Sequence, residues 1–304
     1  LAEGDTDTAL ALAEKAFALK PKHAETQDIL LKLQSEKADW KGARTTLGAK
    51  LKAGSLPKDV YRRRDAVLAL QEARGVMDET ASTEAREAAI EANKRSPDLI
   101  PAAVMAGRGL IEKGDKKAAA RILKKAWSVL PHPEIAAAFA DIEPEETPVQ
   151  RLKRFAALTS QHGDSDQTKL LLAELNIAAE DYPAARRALG DLPTARPTQR
   201  ALAIMAAVER GEGSDEAVVR GWLSRALTAP RGPQWCCDKC QAIHATWQPI
   251  CENCGGFDTL SWRDPVETSG QSATGAELLP LLVGQPKAAE VEDDVIDLAP
   301  NQKT

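Results

Sequence analysis

Small and apolar side chains recur along most of this chain at the spacing of amphipathic helices, and the helical pattern itself repeats. A turn at Gly114-Asp115 is followed by a helix with small residues at fixed positions and a proline stop. The same register is found 34 residues upstream, where the matching pairs are Ala85 and Ala119, Ala92 and Ala126, and Pro97 and Pro131. A fixed period of this length predicts stacked helical hairpins.

The period resembles the tetratricopeptide repeat, which has two antiparallel helices in 34 residues. In that frame Ala106, Gly107, Ala119 and Ala126 stand where the two helices cross, so a large side chain there would push the helices apart. Pro131 ends the second helix, because proline lacks an amide donor and clashes with the preceding turn. A generic helical bundle is the alternative, but it does not require turn, small residue and proline to recur together. The fold class is therefore predicted to be all-α, a tetratricopeptide-like α-solenoid.

Two further stretches fit the repeat, at residues 24–50 and 170–189, whereas residues 59–76 and 198–228 look helical but match it poorly. An acidic, proline-punctuated segment at 141–149 interrupts the array. We therefore predict helical repeats over 1–140, continued repeats over 141–230, a small cysteine-rich β module over 231–264 and a disordered tail over 265–304. The repeats are already under way at the first residue, so we expect this chain to be the distal part of a longer protein.

Stacked helix pairs leave a curved groove in which a partner protein can bind. In the repeat frame, the side chains facing that groove are Asp28, Lys32, Arg108 and Glu112. An ordinary solvated helix face is the alternative explanation for each of them. Both explanations stay open from the sequence.

All five cysteines fall within residues 236–254, where Cys237/Cys240 and Cys251/Cys254 form two C-x2-C pairs. Four thiolates held by two tight turns make a tetrahedral site that suits Zn²⁺, although the same geometry also accepts iron. The segment resembles a zinc ribbon of the rubredoxin type. Because closed four-thiolate coordination leaves no position for water, a structural role is expected for the metal.

Several details of this ribbon remain open in the sequence. Disulfide pairing is the alternative to metal binding, and it leaves one of five cysteines unpaired. Cys236 is a spare thiol or a substitute for Cys237, and His244 is a strand residue or a replacement ligand. Gly255 follows the second pair and permits a positive φ, whereas Gln241 stands at the corresponding place after the first pair. We predict two short strands that turn near Gln248-Pro249.

Charge and motifs exclude several function classes. The net charge is −5, and residues 264–304 alone contribute −6, so there is no basic excess to attract nucleic acid. The chain has no phosphate-binding loop, nucleophile elbow or His-Glu-x-x-His pair, which predicts a protein that is not an enzyme. His23, His132 and His162 are assigned turn and surface roles. No apolar run approaches the roughly 18 residues that a membrane-spanning helix needs.

Three features follow one another along the chain: the helical repeats, the segment Arg225-Ala-Leu-Thr-Ala-Pro-Arg231, and the two cysteine pairs with Gly-Gly-Phe-Asp-Thr-Leu-Ser-Trp-Arg ending at Arg263. This order resembles the HemY-type tetratricopeptide proteins of alphaproteobacteria. The resemblance implies a bacterial inner-membrane protein anchored by N-terminal helices outside this chain, with this part in the cytoplasm. It implies a non-enzymatic scaffold for proteins of late protoheme biosynthesis. Direct heme or porphyrin binding is one alternative. A second follows from a similar layout in LapB-type proteins, which control envelope lipid synthesis or proteolysis.

Overall fold

Helices fill most of the chain as far as residue 228 in the computed structural model, which describes residues 6–79 and 83–266. The helices are α1 Thr6–Leu19, α2 Ala24–Glu36, α3 Trp40–Lys52, α4 Lys58–Glu79, α5 Thr83–Arg95, α6 Ile100–Glu112, α7 Lys116–Val129, α8 Pro133–Ala140, α9 Pro148–Thr159, α10 Asp166–Ala178, α11 Tyr182–Leu189, α12 Leu192–Ala195, α13 Gln199–Gly211 and α14 Glu216–Thr228. A short 3-10 turn, Ser160–His162, follows α9. The prediction of an all-α array is confirmed.

The helices pack as consecutive antiparallel hairpins, with α2 on α3, α4 on α5, α6 on α7, α10 on α11 and α13 on α14. Helices α2, α4, α6, α8, α10 and α13 begin at intervals of 34, 42, 33, 33 and 33 residues. The longer interval follows from α4, which has 22 residues where α2 and α6 have 13. The stretches that match the repeat poorly, 59–76 and 198–228, are therefore helices of the same array.

The turns inside three of these hairpins, α2–α3, α6–α7 and α10–α11, have a common construction. An aspartate caps the second helix by accepting a hydrogen bond from the backbone N–H three residues on, as Asp39 does at 3.0 Å, Asp115 at 3.0 Å and Asp181 at 2.9 Å. The residue before each cap has a positive φ, which is 56° at Ala38, 83° at Gly114 and 60° at Glu180. The left-handed residue ends the first helix and the aspartate starts the next, so two residues fix the hairpin.

The predicted small residues lie where the helices of a hairpin cross. Ala119 and Ala126 of α7 are buried, and a Cβ added to Gly107 of α6 would be 2.9 Å from a methyl group of Leu123. That separation is shorter than any ordinary carbon–carbon contact. Glycine at this position therefore sets the close approach of α6 to α7.

The largest apolar cluster spans α4 to α10 and continues into the cysteine-rich segment. It contains Ala66, Leu99 and Trp127 of the array together with Trp235 and Leu260 of that segment. Array and β module belong to one compact unit. The boundaries at 140 and 230 stay predictions, and residues 267–304 of the predicted tail lie outside the described residues. Within the described residues, none of the helices has the length and apolar character needed to cross a membrane.

Candidate metal centre

Three short strands frame the cysteine pairs. β1 Gln234–Cys237 lies between β2 Ile243–His244 and β3 Leu260–Arg263, antiparallel to both. The first cysteine pair occupies the β1–β2 turn, and an isolated bridge between Ile250 and Phe257 closes the turn that holds the second pair. The prediction of two strands turning near Gln248-Pro249 is wrong, because the paired segments enclose each cysteine turn instead of meeting between them.

The sulfur atoms of the four predicted ligands lie close together in one group. The sulfur atoms of Cys237, Cys240, Cys251 and Cys254 all lie within 4.8 Å of one another. The Sγ atoms of Cys237 and Cys254 are 3.7 Å apart, and those of Cys240 and Cys251 are 3.6 Å apart. Zinc–sulfur bonds of about 2.3 Å in a tetrahedron place sulfurs ~3.8 Å apart, so the cluster fits a four-thiolate metal centre. All five cysteines are free thiols.

Cys236 is separated from this cluster by the alternation of strand β1. Its sulfur faces away from the four ligands and lies 3.6 Å from the carbonyl oxygen of Arg263. Burial raises the pKa of the Cys236 thiol, which keeps it protonated and unreactive. The structure therefore brings Cys237, and not Cys236, into the four-sulfur group.

The surroundings of the four sulfurs shift the pKa values of Cys237 and Cys254 in opposite directions. Burial alone would raise the pKa of Cys237, but the Thr259 hydroxyl at 3.3 Å and the backbone N–H groups of Cys240 and Lys239 lower it to about 6. The pKa of Cys254 rises to about 12, because burial and neighbouring cysteines outweigh a bond from the Gly256 amide. Four such thiols release their remaining protons when a divalent cation binds.

The two cysteine turns have the same backbone shape despite different sequences. Gly255 has φ 64°, and Gln241, at the corresponding place, has φ 62°. A non-glycine residue is strained in this region. Both polar atoms of the Gln241 side chain are hydrogen-bonded. Its Nε2 donates to the backbone carbonyl of Asp238 at 3.3 Å, and its Oε1 accepts from Arg263 at 2.7 Å. These bonds fix the glutamine in a conformation that glycine adopts freely.

His244 lies beside the four sulfurs, outside their group. Its Nε2 is 3.3 Å from Cys251 Sγ, and the ring is half-buried on β2. A histidine in this position orients a ligand through a hydrogen bond to its sulfur. The sequence left two roles open for His244, a surface strand residue or a replacement ligand. The structure adds a third role, a hydrogen-bond partner of the Cys251 sulfur.

His132 is a residue whose role the sequence did not reveal. It caps α8, where Nδ1 accepts a hydrogen bond from the Glu134 amide at 3.1 Å, so the turn assignment is right. The surface assignment is wrong, since the residue is 2% exposed. Its ring centroid lies 5.2 Å from that of Trp235 and 4.2 Å from that of Trp262. Burial lowers the pKa of His132 to about 4.

Further contacts attach the ribbon to α2 and α4. Arg63 binds the ribbon carboxylate of Asp258 at 3.1 Å and that of Asp98, before α6, at 2.8 Å. The ring of Phe257 packs on the apolar cluster formed by α2, α3 and α4. The guanidinium of Arg74 stands 5.8 Å from the Trp247 ring centroid, within cation–π range. The ribbon is thus held by aromatic, ionic and apolar contacts together.

The four predicted groove residues divide into two sets. Asp28 and Lys32 line a cleft of about 280 Å³ between α2, α4 and the second cysteine turn. Arg108 is bound to Asp141 at 3.0 Å, and Glu112 is exposed at the end of α6. The two sets do not line one cavity, and their part in partner binding stays a prediction.

A second cavity lies on the other half of the array and was not predicted. It has a volume of about 330 Å³ and lies between α8, α9 and α10. Its charged residues are already paired, since Arg200 binds Glu174 through two 2.7 Å bonds and Arg151 binds Glu146 at 3.1 Å. Arg200 also donates to Gln167 at 2.8 Å. Its apolar lining residues are Trp127, Pro133, Ala136, Ala137, Ala140, Phe155, Leu171, Leu175 and Ala178.

No protein-family model matches this chain, and no curated protein matches it. Among solved structures, the chain is similar to a tetratricopeptide repeat protein from Parabacteroides merdae, with 14% identity, a TM-score of 0.34, and coverage of 74% of this chain and 94% of that one. It is also similar to YrrB, described as a tetratricopeptide repeat protein with an unusual peptide-binding site, with 17% identity, a TM-score of 0.31, and coverage of 66% and 97%. At these scores, the repeat architecture rests on the hairpins and turns of this chain itself.

Proposed function

We propose that this chain is a non-enzymatic scaffold that binds partner proteins on its helical array and carries a structural zinc ion in its ribbon. The observation that carries the proposal is the open apolar cavity between α8, α9 and α10, beside which the charged residues are already paired. Such a cavity accepts an apolar side chain of a partner without leaving a charge buried and unpaired. Helical arrays present extended surfaces of this kind to peptides and proteins.

The cavity is tested by filling it. Ala137 lies on its wall and is exposed, so Ala137→Arg places a long side chain there without disturbing the core. Ala157→Arg, at an exposed position of α9 that does not line the cavity, is the matched control. We expect partner capture from membranes of the source organism to fall with Ala137→Arg only. Equal capture by wild type and both variants would contradict binding in this cavity.

The metal is tested by analysis of reduced, freshly purified protein. We expect about one zinc per chain, lost in Cys251→Ser and Cys254→Ser, which each remove a ligand. Cys236→Ser is the control, since its sulfur lies outside the four-sulfur group and the metal should stay. Iron in place of zinc would show as a coloured protein. Protein without metal would overturn the site.

The finer identity of the partners rests on the resemblance to HemY-type proteins. It supports enzymes of late protoheme biosynthesis as the clients, at the cytoplasmic face of the bacterial inner membrane. Capture of tetrapyrrole enzymes would support this assignment, whereas capture of envelope-lipid enzymes or a protease would favour the LapB-like alternative. A hemin titration separates the remaining alternative, because a saturable Soret shift is expected of a heme-binding protein and not of a scaffold.

A further inference from the structure

The cleft between the array and the second cysteine turn is bordered by three cations. Helix α2 contributes Lys32, α4 contributes Arg64, and the first cysteine turn contributes Lys239, while the ligand Cys254 lies in the same lining. A Cβ added to Gly255 would be 3.5 Å from a carboxylate oxygen of Glu36 and 4.0 Å from Cε of Lys32, so α2 and the turn are in close contact. Cations from three separate segments therefore converge on one side of the sulfur cluster.

Two of these cations have no ion-pair partner within the part of the chain that the structure describes. Lys32 is bound to Glu36 at 3.6 Å, and Asp28, the acidic residue of the cleft, is bound to Lys50. No carboxylate lies within 4.0 Å of the Arg64 guanidinium or of the Lys239 ammonium among the described residues. Arg64 acts on the Asp258 carboxylate at longer range, but the direct partner of that carboxylate is Arg63.

A divalent cation held by four thiolates has a net charge of −2. The sulfurs of this ribbon are half-buried or buried, so water solvates that charge poorly. Charge placed in such surroundings is costly unless it is paired, and the residues around metal ligands tune the affinity of the site. The two unpaired cations line the same cleft as Cys254, one of the four sulfurs that would carry this negative charge on metal binding.

We propose that Arg64 and Lys239 are the counter-charges of the metal–thiolate centre, so that helix α4 of the array forms part of the ribbon's metal site. This inference rests on the proposed metal site and extends it beyond the ribbon sequence. The array then raises the metal affinity of the ribbon electrostatically, in addition to packing against it. An external acidic peptide is the other anion that could bind between these cations.

The test compares metal affinity in variants of the full chain. Wild type, Arg64→Ala, Lys239→Ala and the double variant are titrated with Co²⁺ and Zn²⁺ in competition with a chromophoric chelator. Arg62→Ala is the matched control, because Arg62 is an exposed arginine on the same helix and lies outside the cleft. Arg64→Lys keeps the charge and measures rescue. Circular dichroism of each variant establishes that the array is folded.

We expect the double variant to bind metal about tenfold more weakly, as for other residues around metal ligands, with smaller losses in the single variants. Arg64→Lys and Arg62→Ala should resemble wild type, and 1 M salt should reduce the differences because it screens charge. Equal affinity in the double variant and wild type overturns the proposal. Equal affinity combined with loss of binding to a poly-glutamate peptide assigns the cations to an external anion instead. Absence of metal from wild type would overturn the metal site itself.

Discussion

At Ala38 and Glu180, the hairpin turn imposes a left-handed backbone on residues that carry a Cβ. Both are exposed, with φ values of 56° and 60°, whereas Gly114 occupies the same turn position without strain. We expect Ala38→Gly and Glu180→Gly each to stabilise the protein by up to about 1 kcal/mol, and Gly114→Ala to destabilise it by a similar amount. Urea unfolding of the three variants measures these differences. Destabilisation by both glycine substitutions would contradict the strain.

Two helical glycines, Gly107 and Gly221, have different surroundings. Gly107 faces Leu123 at the α6–α7 crossing, whereas a Cβ added to Gly221 of α14 would meet nothing within 4 Å. Gly107→Ala is therefore expected to lower the free energy of unfolding by about 1–3 kcal/mol through overpacking. Gly221→Ala should raise it by about 0.5–1 kcal/mol, since alanine favours helix. Thermal unfolding distinguishes them, and a shift of both variants in the same direction would argue against the close crossing.

At the scale of elements, the buried ring of His132 joins the start of α8 to strands β1 and β3. Its pKa is about 4 in the fold and 6.5 when exposed, because burial disfavours the charged form. Between these values the unfolded chain binds a proton that the folded chain does not, so stability falls as pH is lowered from 6.5 to 4. The expected loss between pH 7 and pH 5 is about 2 kcal/mol.

The measurement is the free energy of unfolding against pH for wild type and His132→Asn, both prepared in the same metal state. Asparagine keeps a capping acceptor but does not titrate in this range. The variant should be less stable at pH 7 through lost ring packing, and its stability should depend less on pH. Protonation of the thiols is common to both proteins, so the difference between their pH profiles isolates the effect of His132. Parallel pH profiles in wild type and variant would assign the acid sensitivity to other groups.

The elements were predictable from the sequence where a local pattern determines them. The hairpin period rests on repeated turns and small residues, and the four-sulfur group rests on two C-x2-C pairs, whose spacing fixes the turn geometry. The burial of His132 was not predictable, because it depends on Trp235 and Trp262, which lie more than 100 residues further along the chain. The positive φ of Gln241 was not predictable for a related reason. Its side chain is held by Arg263 of β3, a strand that is distant from Gln241 in the sequence.

At the scale of the whole molecule, the ribbon and the array share one apolar core. Trp235, Trp247 and Leu260 belong to the cluster that contains Leu99 and Trp127. A ribbon of about thirty residues has too little core of its own to fold without its metal. Loss of the proposed metal would therefore expose apolar surface on the array as well as on the ribbon, so both parts should be less stable without the metal than with it.

We expect chelation of the metal to lower the midpoint of thermal unfolding of the helices, followed by far-ultraviolet circular dichroism, and to shift tryptophan emission to longer wavelength. Both changes follow because ribbon residues complete the core between α4 and α8. Cys237→Ser should reproduce both changes without chelator. Cys236→Ser should reproduce neither, since its buried sulfur contacts only the Arg263 carbonyl among its hydrogen-bond partners in the described structure. If the helices unfold at an unchanged temperature in the chelated protein, the shared core contributes nothing to the array, and the ribbon is an independent module.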